Sequence, residues 1–309
     1  MKQPTFDPGL TQQYGHRLRR AINPDGSFNV RREGLDLRNA NYYLNLVSMS
    51  WPRFLGLLLT AYFLVNCLFA VLYYAAGIEH LKGADMSSPL MEFASAFFFS
   101  GHTLTTVGYG NVTPDGLLAN TISSIEAMTG LLGFAIATGL LYGRFSKPTA
   151  RLLFSEKMLV VPYQDGMSLQ FRIANKRSNV LMELEATVTL MTVEVGENGA
   201  LQRKFKELKL ERPKVLFLPL TWTIVHPIDP ESPLYGKTEE DLRNLQMELI
   251  ILIKCFDDTF GQTVHARYSF PHSDIVWNAR FEQAFEIADT GDLVLRVDRV
   301  GRYKKLAGA

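Results

Sequence analysis

Two long apolar runs and one short one dominate the first half of the chain. Residues 54–77 carry no charged side chain, and residues 117–143 carry one, Glu126. At about 1.5 Å per helical residue, each is long enough to cross a hydrocarbon layer of about 30 Å. Between them lies a shorter apolar stretch, 89–104, opened by Ser88-Pro89 and Glu92. Serine caps a helix start, proline suits the first turn, and an acid there complements the helix dipole. The stretch is too short to span, so the pattern predicts a re-entrant helix, tolerated at membrane depth only inside surrounding protein. The order is outer span, short helix, loop, inner span. Ahead of it, Tyr43, Leu44, Val47 and Trp51 recur at helical spacing while Asn41, Asn45 and Ser48 fall elsewhere. That predicts an amphipathic helix over 39–51, lying at the inner leaflet or packed on a polar domain. Pro52 then breaks direction before the outer span.

From Lys157 onward the period changes to two. Leu184, Ala186, Val188 and Leu190 alternate with Glu183, Glu185, Thr187 and Thr189, as in a half-buried strand. Residues 202–210, 215–218, 222–226, 247–256 and 263–270 continue the series, with turns at 196–199 and 257–261 and one short helix opened by Thr238. Many short antiparallel strands predict an all-β, immunoglobulin-like sandwich. The expected organisation is a loose arm over 1–38, part of it able to pair as a strand, then the interfacial helix over 39–51. A pore domain over 52–148 and the sandwich over 149–309 follow.

Six arginines from Arg17 to Arg38, with Arg53, precede the outer span, and Arg144, Lys147 and Arg151 follow the inner one. The intervening loop has Lys82 alone, so the positive-inside rule places both termini in the cytoplasm of a two-span inner-membrane protein. No cleavable leader is expected, because hydrophobicity begins only at Phe54. The net charge of +1 and the absence of a basic, aromatic-interleaved patch argue against nucleic acid. Cys67 and Cys255 form no disulfide framework and read as small buried hydrophobes. No nucleophile–base pair, metal-ligand spacing or phosphate loop is present, so no catalysis is expected. His226, His265 and His272 read as structural, and Asp229 and Glu231 as candidates to line a cytoplasmic pore.

The loop between the short helix and the inner span reads Thr106-Val107-Gly108-Tyr109-Gly110. This string is the established signature of potassium-selective filters, in which four loops replace the ion's water shell with peptide oxygens. Gly108 and Gly110 permit the unusual backbone angles required. A glycine turn in a soluble hairpin would match five residues, but would leave the flanking spans unexplained. One copy encloses nothing, so the filter implies a homotetramer. Ser50-Trp51-Pro52, Phe97-Phe98-Phe99-Ser100, the filter, Arg144-Phe145-Ser146-Lys147-Pro148 and the run from His226 to Gly236 together resemble bacterial inward-rectifier potassium channels, the KirBac group, over about 39–289. The resemblance implies passive K⁺ conduction, with Tyr142 at the gate, Gly130 as hinge and Phe134 where steeply rectifying relatives carry an acid. It also implies weak rectification and, with no cofactor beyond K⁺ itself, modulation by membrane phospholipid. Arg144, Lys147 and Arg151 form the candidate lipid site. Two departures stand out: the missing acid at Phe134, and His102 in place of the usual pore-helix Glu with Asn111 after the filter, so that the brace between those positions is absent. Glu126, an acid inside a span, is expected either to meet His102 behind the filter and confer pH sensitivity, or to bond locally. A poorly selective cation channel, and a membrane-anchored sensor with a vestigial pore, are the competing readings.

Overall fold

The computed structural model describes residues 9–10, 13–14, 20–31, 33, 42–146, 151–195 and 201–306. They form two compact units, one drawn from 34–147 and the other joining 1–33 to 148–309. The first strand, β1 (Gln13–Tyr14), belongs to the second unit, where it pairs antiparallel with residues 201–202.

In the first unit, the described part of helix α1 (Tyr42–Ser48) ends at Ser48, and Trp51, expected at its end, opens the next helix instead. Helix α2 (Trp51–Ala76) starts ahead of Phe54, because Pro52 sits inside its first turn, where the missing N–H has no intrahelical partner to lose. Helix α3 (Pro89–Leu104) is capped by the Ser88 hydroxyl, which accepts from the Met91 amide at 3.3 Å. Helix α4 (Gly116–Phe145) runs unbroken through its glycines. At 26 and 30 residues, α2 and α4 are long and apolar enough to cross a membrane. Tyr73, Phe69 and Ala70 of α2 pack with Ala96 and Phe99 of α3 in one buried cluster. A short ladder pairs β2 (Leu81–Lys82) with β3 (Thr113–Pro114), tying the end of α2 to the segment after residue 110. Gly83 is obligatory there, since φ is +87° and a Cβ would collide with the Asn111 carbonyl. Lys82 Nζ lies 2.9 Å from Asp115 and holds that carboxyl below the usual carboxylate range.

The second unit is a two-sheet sandwich. β7 (Leu181–Val195), β8 (Leu201–Glu207), β9 (Lys214–Phe217), β11 (Glu248–Asp257) and β12 (Gln262–Pro271) form the larger sheet with β1, in the order β1-β8-β7-β11-β12 with β9 also on β7. β4 (Leu152–Phe154), β5 (Met158–Tyr163), β6 (Gly166–Asn175), β10 (Thr221–Ile228) and β13 (Ile275–Trp277) form the smaller. Leu184, Ala186 and Val188 of β7 and Leu249, Ile251 and Ile253 of β11 meet Phe171, Ile173, Trp222 and Ile224 across the core. The period of two thus buries one face of each sheet. A bulge opposite Lys254–Phe256 puts Glu183 at φ 51°, the local cost of the extra residue. Helix α5 (Glu239–Asn244) starts on a capping box between Thr238 and Asp241.

Residues 20–29 are not part of a separate arm. The Glu248 carboxylate accepts the Ala21 amide at 2.9 Å, and Ser269 Oγ accepts from Arg20 Nε at 2.9 Å and donates to the Ile22 carbonyl at 3.0 Å. Ile22 is buried, so this segment is fastened to β11 and β12 by side chains rather than by a ladder. The expected turn at 196–199 lies outside the described residues.

His226 anchors the smaller sheet to the following turns. Its Nδ1–H donates to the Lys209 carbonyl at 2.6 Å, and Nε2 accepts from the Ser232 hydroxyl at 2.8 Å. Ser232 Oγ in turn accepts the Leu234 amide, so the neutral ring satisfies the whole set. Burial pushes the imidazole pKa down, with the Lys209 carbonyl and Asp229 opposing it. The unfolded chain therefore takes up this proton first as pH falls below about 6.5, and stability present above that pH is lost on acidification. Between pH 8 and pH 5.5 the thermal midpoint of the wild type should fall more than that of His226→Gln, which begins lower. Equal pH slopes would remove His226 from the account.

Candidate functional site

Alternation of backbone hand marks the loop after α3. Thr106, Gly108 and Gly110 have φ of 61°, 57° and 79°, while no positive φ occurs at Val107 or Tyr109. Such alternation rotates successive peptide planes so that their carbonyls can share one side of the chain. For a threonine the left-handed angle is costly, and strain of this kind gathers at functional sites. The loop's amides are turned back onto the end of α3. Val107 N donates to the His102 carbonyl at 2.8 Å, Gly108 N to the same oxygen at 3.3 Å, and Thr106 N to Thr103 at 3.0 Å. Among the described residues, no hydrogen bond reaches the carbonyls of Thr106, Val107, Gly108 or Tyr109. A run of peptide oxygens with its donors engaged elsewhere can meet a cation.

Two side-chain arrangements hold the loop. The His102 ring lies edge-on to Tyr109, centroids 4.8 Å apart at 87°. Behind α3, fully buried Glu126 accepts from the Tyr73 hydroxyl at 2.7 Å and from the Ser100 hydroxyl. One carboxylate thereby joins α2, α3 and α4. His102 and Glu126 are not brought together. Ser100 and His102 are two residues apart, about 200° around the helix axis, so α3 gives one to Glu126 and the other to Tyr109. Tyr73 is not singled out by the sequence, and Ser100 only as the end of a motif, with no partner assigned to it. A hydroxyl on each of two apolar helices matching a lone acid on a third is the signal that was there.

Gly130 sits where α4 crosses the end of α3. A Cβ there would stand 2.8 Å from the Leu104 carbonyl carbon and closer still to its oxygen, whereas Gly133 and Gly139 have open space in the chain. Phe134 and Tyr142 are both about three-quarters exposed on the chain, at 74 % and 73 %.

Arg144 is engaged within its own unit. Nη1 donates to the Leu46 carbonyl at 2.5 Å, Nη2 to Met49 at 2.6 Å, and the guanidinium carbon lies 4.7 Å from the Trp51 ring centroid and 4.4 Å from that of Phe54. Expected as a lipid ligand, it instead closes the end of α1. Both terminal nitrogens of the guanidinium are thus engaged within the unit. Lys147 lies outside the described residues. Arg151 is exposed at the start of the second unit, where its carbonyl accepts the Lys176 amide at 3.0 Å. The Asp229 carboxylate accepts the Glu231 amide of its own loop at 3.0 Å. Among the described residues, no three of His, Cys, Asp and Glu converge as a metal site.

Comparison with known proteins adds an independent line. Residues 152–306 match the family described as the inward rectifier potassium channel C-terminal domain, and residues 60–147 match one described as an ion channel. The chain is 37 % identical over 293 residues to the inward rectifier potassium channel Kirbac3.1 of Paramagnetospirillum magnetotacticum, covering 94 % of this chain and 97 % of that one. It is 25 % identical to inward rectifier potassium channel irk-1 of Caenorhabditis elegans, covering 85 % of this chain and 53 % of that one. It is likewise 25 % identical to human inward rectifier potassium channel 18, covering 85 % of this chain and 66 % of that one. The chain thus spans about half of the nematode protein and two-thirds of the human one.

Proposed function

This chain belongs to the inward-rectifier potassium channel family, and from that premise we propose that four copies conduct K⁺ passively through a filter of backbone oxygens from Thr106 to Gly110. The family consists of channels, not enzymes. The observation carrying the filter assignment is the pairing of alternating φ with amides fastened to α3, which frees the carbonyls for an ion. The C-terminal end of α3 adds a partial negative charge beneath them. His102 and Glu126 each support the filter separately, one through Tyr109 and the other through Ser100.

The remaining parts of the proposal follow from place and chemistry. Tyr142, one turn or so from the end of α4, supplies a ring able to close the inner mouth by dewetting. Gly130 sets the close approach of α4 to α3, a role that its crowding favours over free hinging. Lys147 and Arg151 remain the candidate contacts to anionic phospholipid, and Arg144 is withdrawn from that set. Both termini face the cytoplasm of the inner membrane, and the sandwich acts on the gate through the linker over 149–156 and the interfacial helix. Phe134 offers no carboxylate to a polyamine, so rectification is weak.

The test is ⁸⁶Rb⁺ uptake into liposomes holding the purified protein. Uptake blocked by Ba²⁺, with a reversal potential following K⁺ rather than Na⁺, is expected. Low-micromolar spermine should leave most outward current intact. Absence of Ba²⁺-sensitive uptake would remove the conduction reading, and a reversal potential indifferent to K⁺ over Na⁺ would leave an unselective pore.

A further inference from the structure

The sandwich contains a hole at one end. Between β5, β6, β13 and α5 lies a cavity of about 200 Å³, walled by Val160, Leu169, Leu242, Met247 and Trp277. Interiors of this kind are normally close-packed, with few voids larger than a water molecule. Four of these wall side chains, Val160, Leu169, Leu242 and Met247, are at most 3 % exposed, so the space is set into the core rather than onto the surface. Gly236 and Lys237 are its exposed lining residues and mark where it opens.

One of the lining residues, Trp277, carries a polar group that stands out. Trp277 Nε1 is buried, yet no acceptor reaches it among the described residues. An indole N–H left without a partner is unfavourable, and tryptophan in a core ordinarily finds one. A water entering from the mouth is a poor remedy, because a well-held water needs two to four polar partners and, Lys237 aside, the lining side chains are apolar. An apolar cavity of about 150 Å³ stays dry and takes up benzene, so this one suits a guest of about eight non-hydrogen atoms.

We propose that this cavity is a binding site for a compact, neutral, apolar molecule carrying one carbonyl oxygen, which accepts from Trp277 Nε1. One guest then fills the void and pairs the donor together. A carboxylate is the poorer fit, since the one cation among the described lining residues, Lys237, is exposed and would remain in water. The argument for this site does not depend on the conduction reading.

The full chain, purified in detergent and labelled with 5-fluorotryptophan, offers three ¹⁹F resonances, from Trp51, Trp222 and Trp277. Cyclohexanone and methylcyclohexane, supplied through the vapour at matched free concentration, are the probes. Cyclohexanone should shift the Trp277 resonance saturably, leave Trp51 unmoved and raise the thermal midpoint. Methylcyclohexane should bind about tenfold more weakly, the worth of one hydrogen bond. Trp277→Phe should bring the midpoint rise for cyclohexanone down to that for methylcyclohexane, and Met167→Phe, which fills the space, should abolish both. Absence of saturation, or equal affinity for the two probes in the wild type, overturns the proposal. So does an undiminished response in the filled variant; should that variant not fold, the comparison made with Trp277→Phe decides.

Discussion

Gly130→Ala is expected to lower the thermal stability of the assembly and to eliminate Ba²⁺-sensitive ⁸⁶Rb⁺ flux. In an ordinary helix the same change gains about 1 kcal/mol, because alanine is the better helix former. Here the added methyl would press on the backbone of Leu104, which cannot rotate away as a side chain would. Forcing atoms into a packed site costs about 1–3 kcal/mol, repeated in every subunit, and outweighs the helix gain. Leu104 ends α3, and the filter begins two residues later, so any parting of α3 from α4 is felt at Thr106. A pure hinge at Gly130 gives the opposite sign for stability: a stiffer helix, an equal or higher midpoint, and reduced opening. Gly133→Ala is the comparison, since within the chain its methyl meets open space. A midpoint for Gly130→Ala at or above that of Gly133→Ala would establish the hinge and remove the packing account.

What was legible in the chain was whatever rests on local chemistry. Ser88-Pro89 and Thr238 announce helix starts because capping needs only neighbours three residues away. The alternation from Glu183 to Leu190 reveals a strand because sidedness is a property of one strand. The loop proposed as a filter stands out as a motif, and the two long helices stand out by length and apolarity. What stayed hidden depends on partners far along the chain. Glu126 could be singled out as a lone acid, but its choice of Tyr73 and Ser100 over His102 is set by the rotation of α3 against α4. The fastening of 20–29 to Glu248 and Ser269 spans more than two hundred residues and leaves no period to read. β4 and β13 are three residues each, too short for a pattern, and exist because β6 and β5 offer edges.

Arg144 shows the same limit with a functional consequence. Read along the chain it is a cation after a span, and both topology and lipid binding are natural roles. In three dimensions it terminates α1. The last carbonyls of α1 have no intrahelical donors and need others. The guanidinium supplies them at Leu46, Val47 and Met49 while stacking on Trp51 and Phe54. Gly143, next in sequence, keeps room for the Tyr43 hydroxyl, so α1 and the end of α4 interlock at two points. Hydrogen bonds to a charged donor contribute about 1.5–3 kcal/mol each, and each cation–ring contact about 0.5–2 kcal/mol. Arg144→Ala should therefore release α1, speeding amide exchange over 42–49 severalfold and uncoupling the gate from this helix. Arg144→Lys decides between the roles. Lysine keeps the charge that a phospholipid would need but has no planar fork to span these carbonyls and lie on the rings. Retained flux and slow exchange in Arg144→Lys, with both lost in Arg144→Ala, would return Arg144 to the lipid site. Fast exchange and impaired flux in both variants is the result expected of a latch.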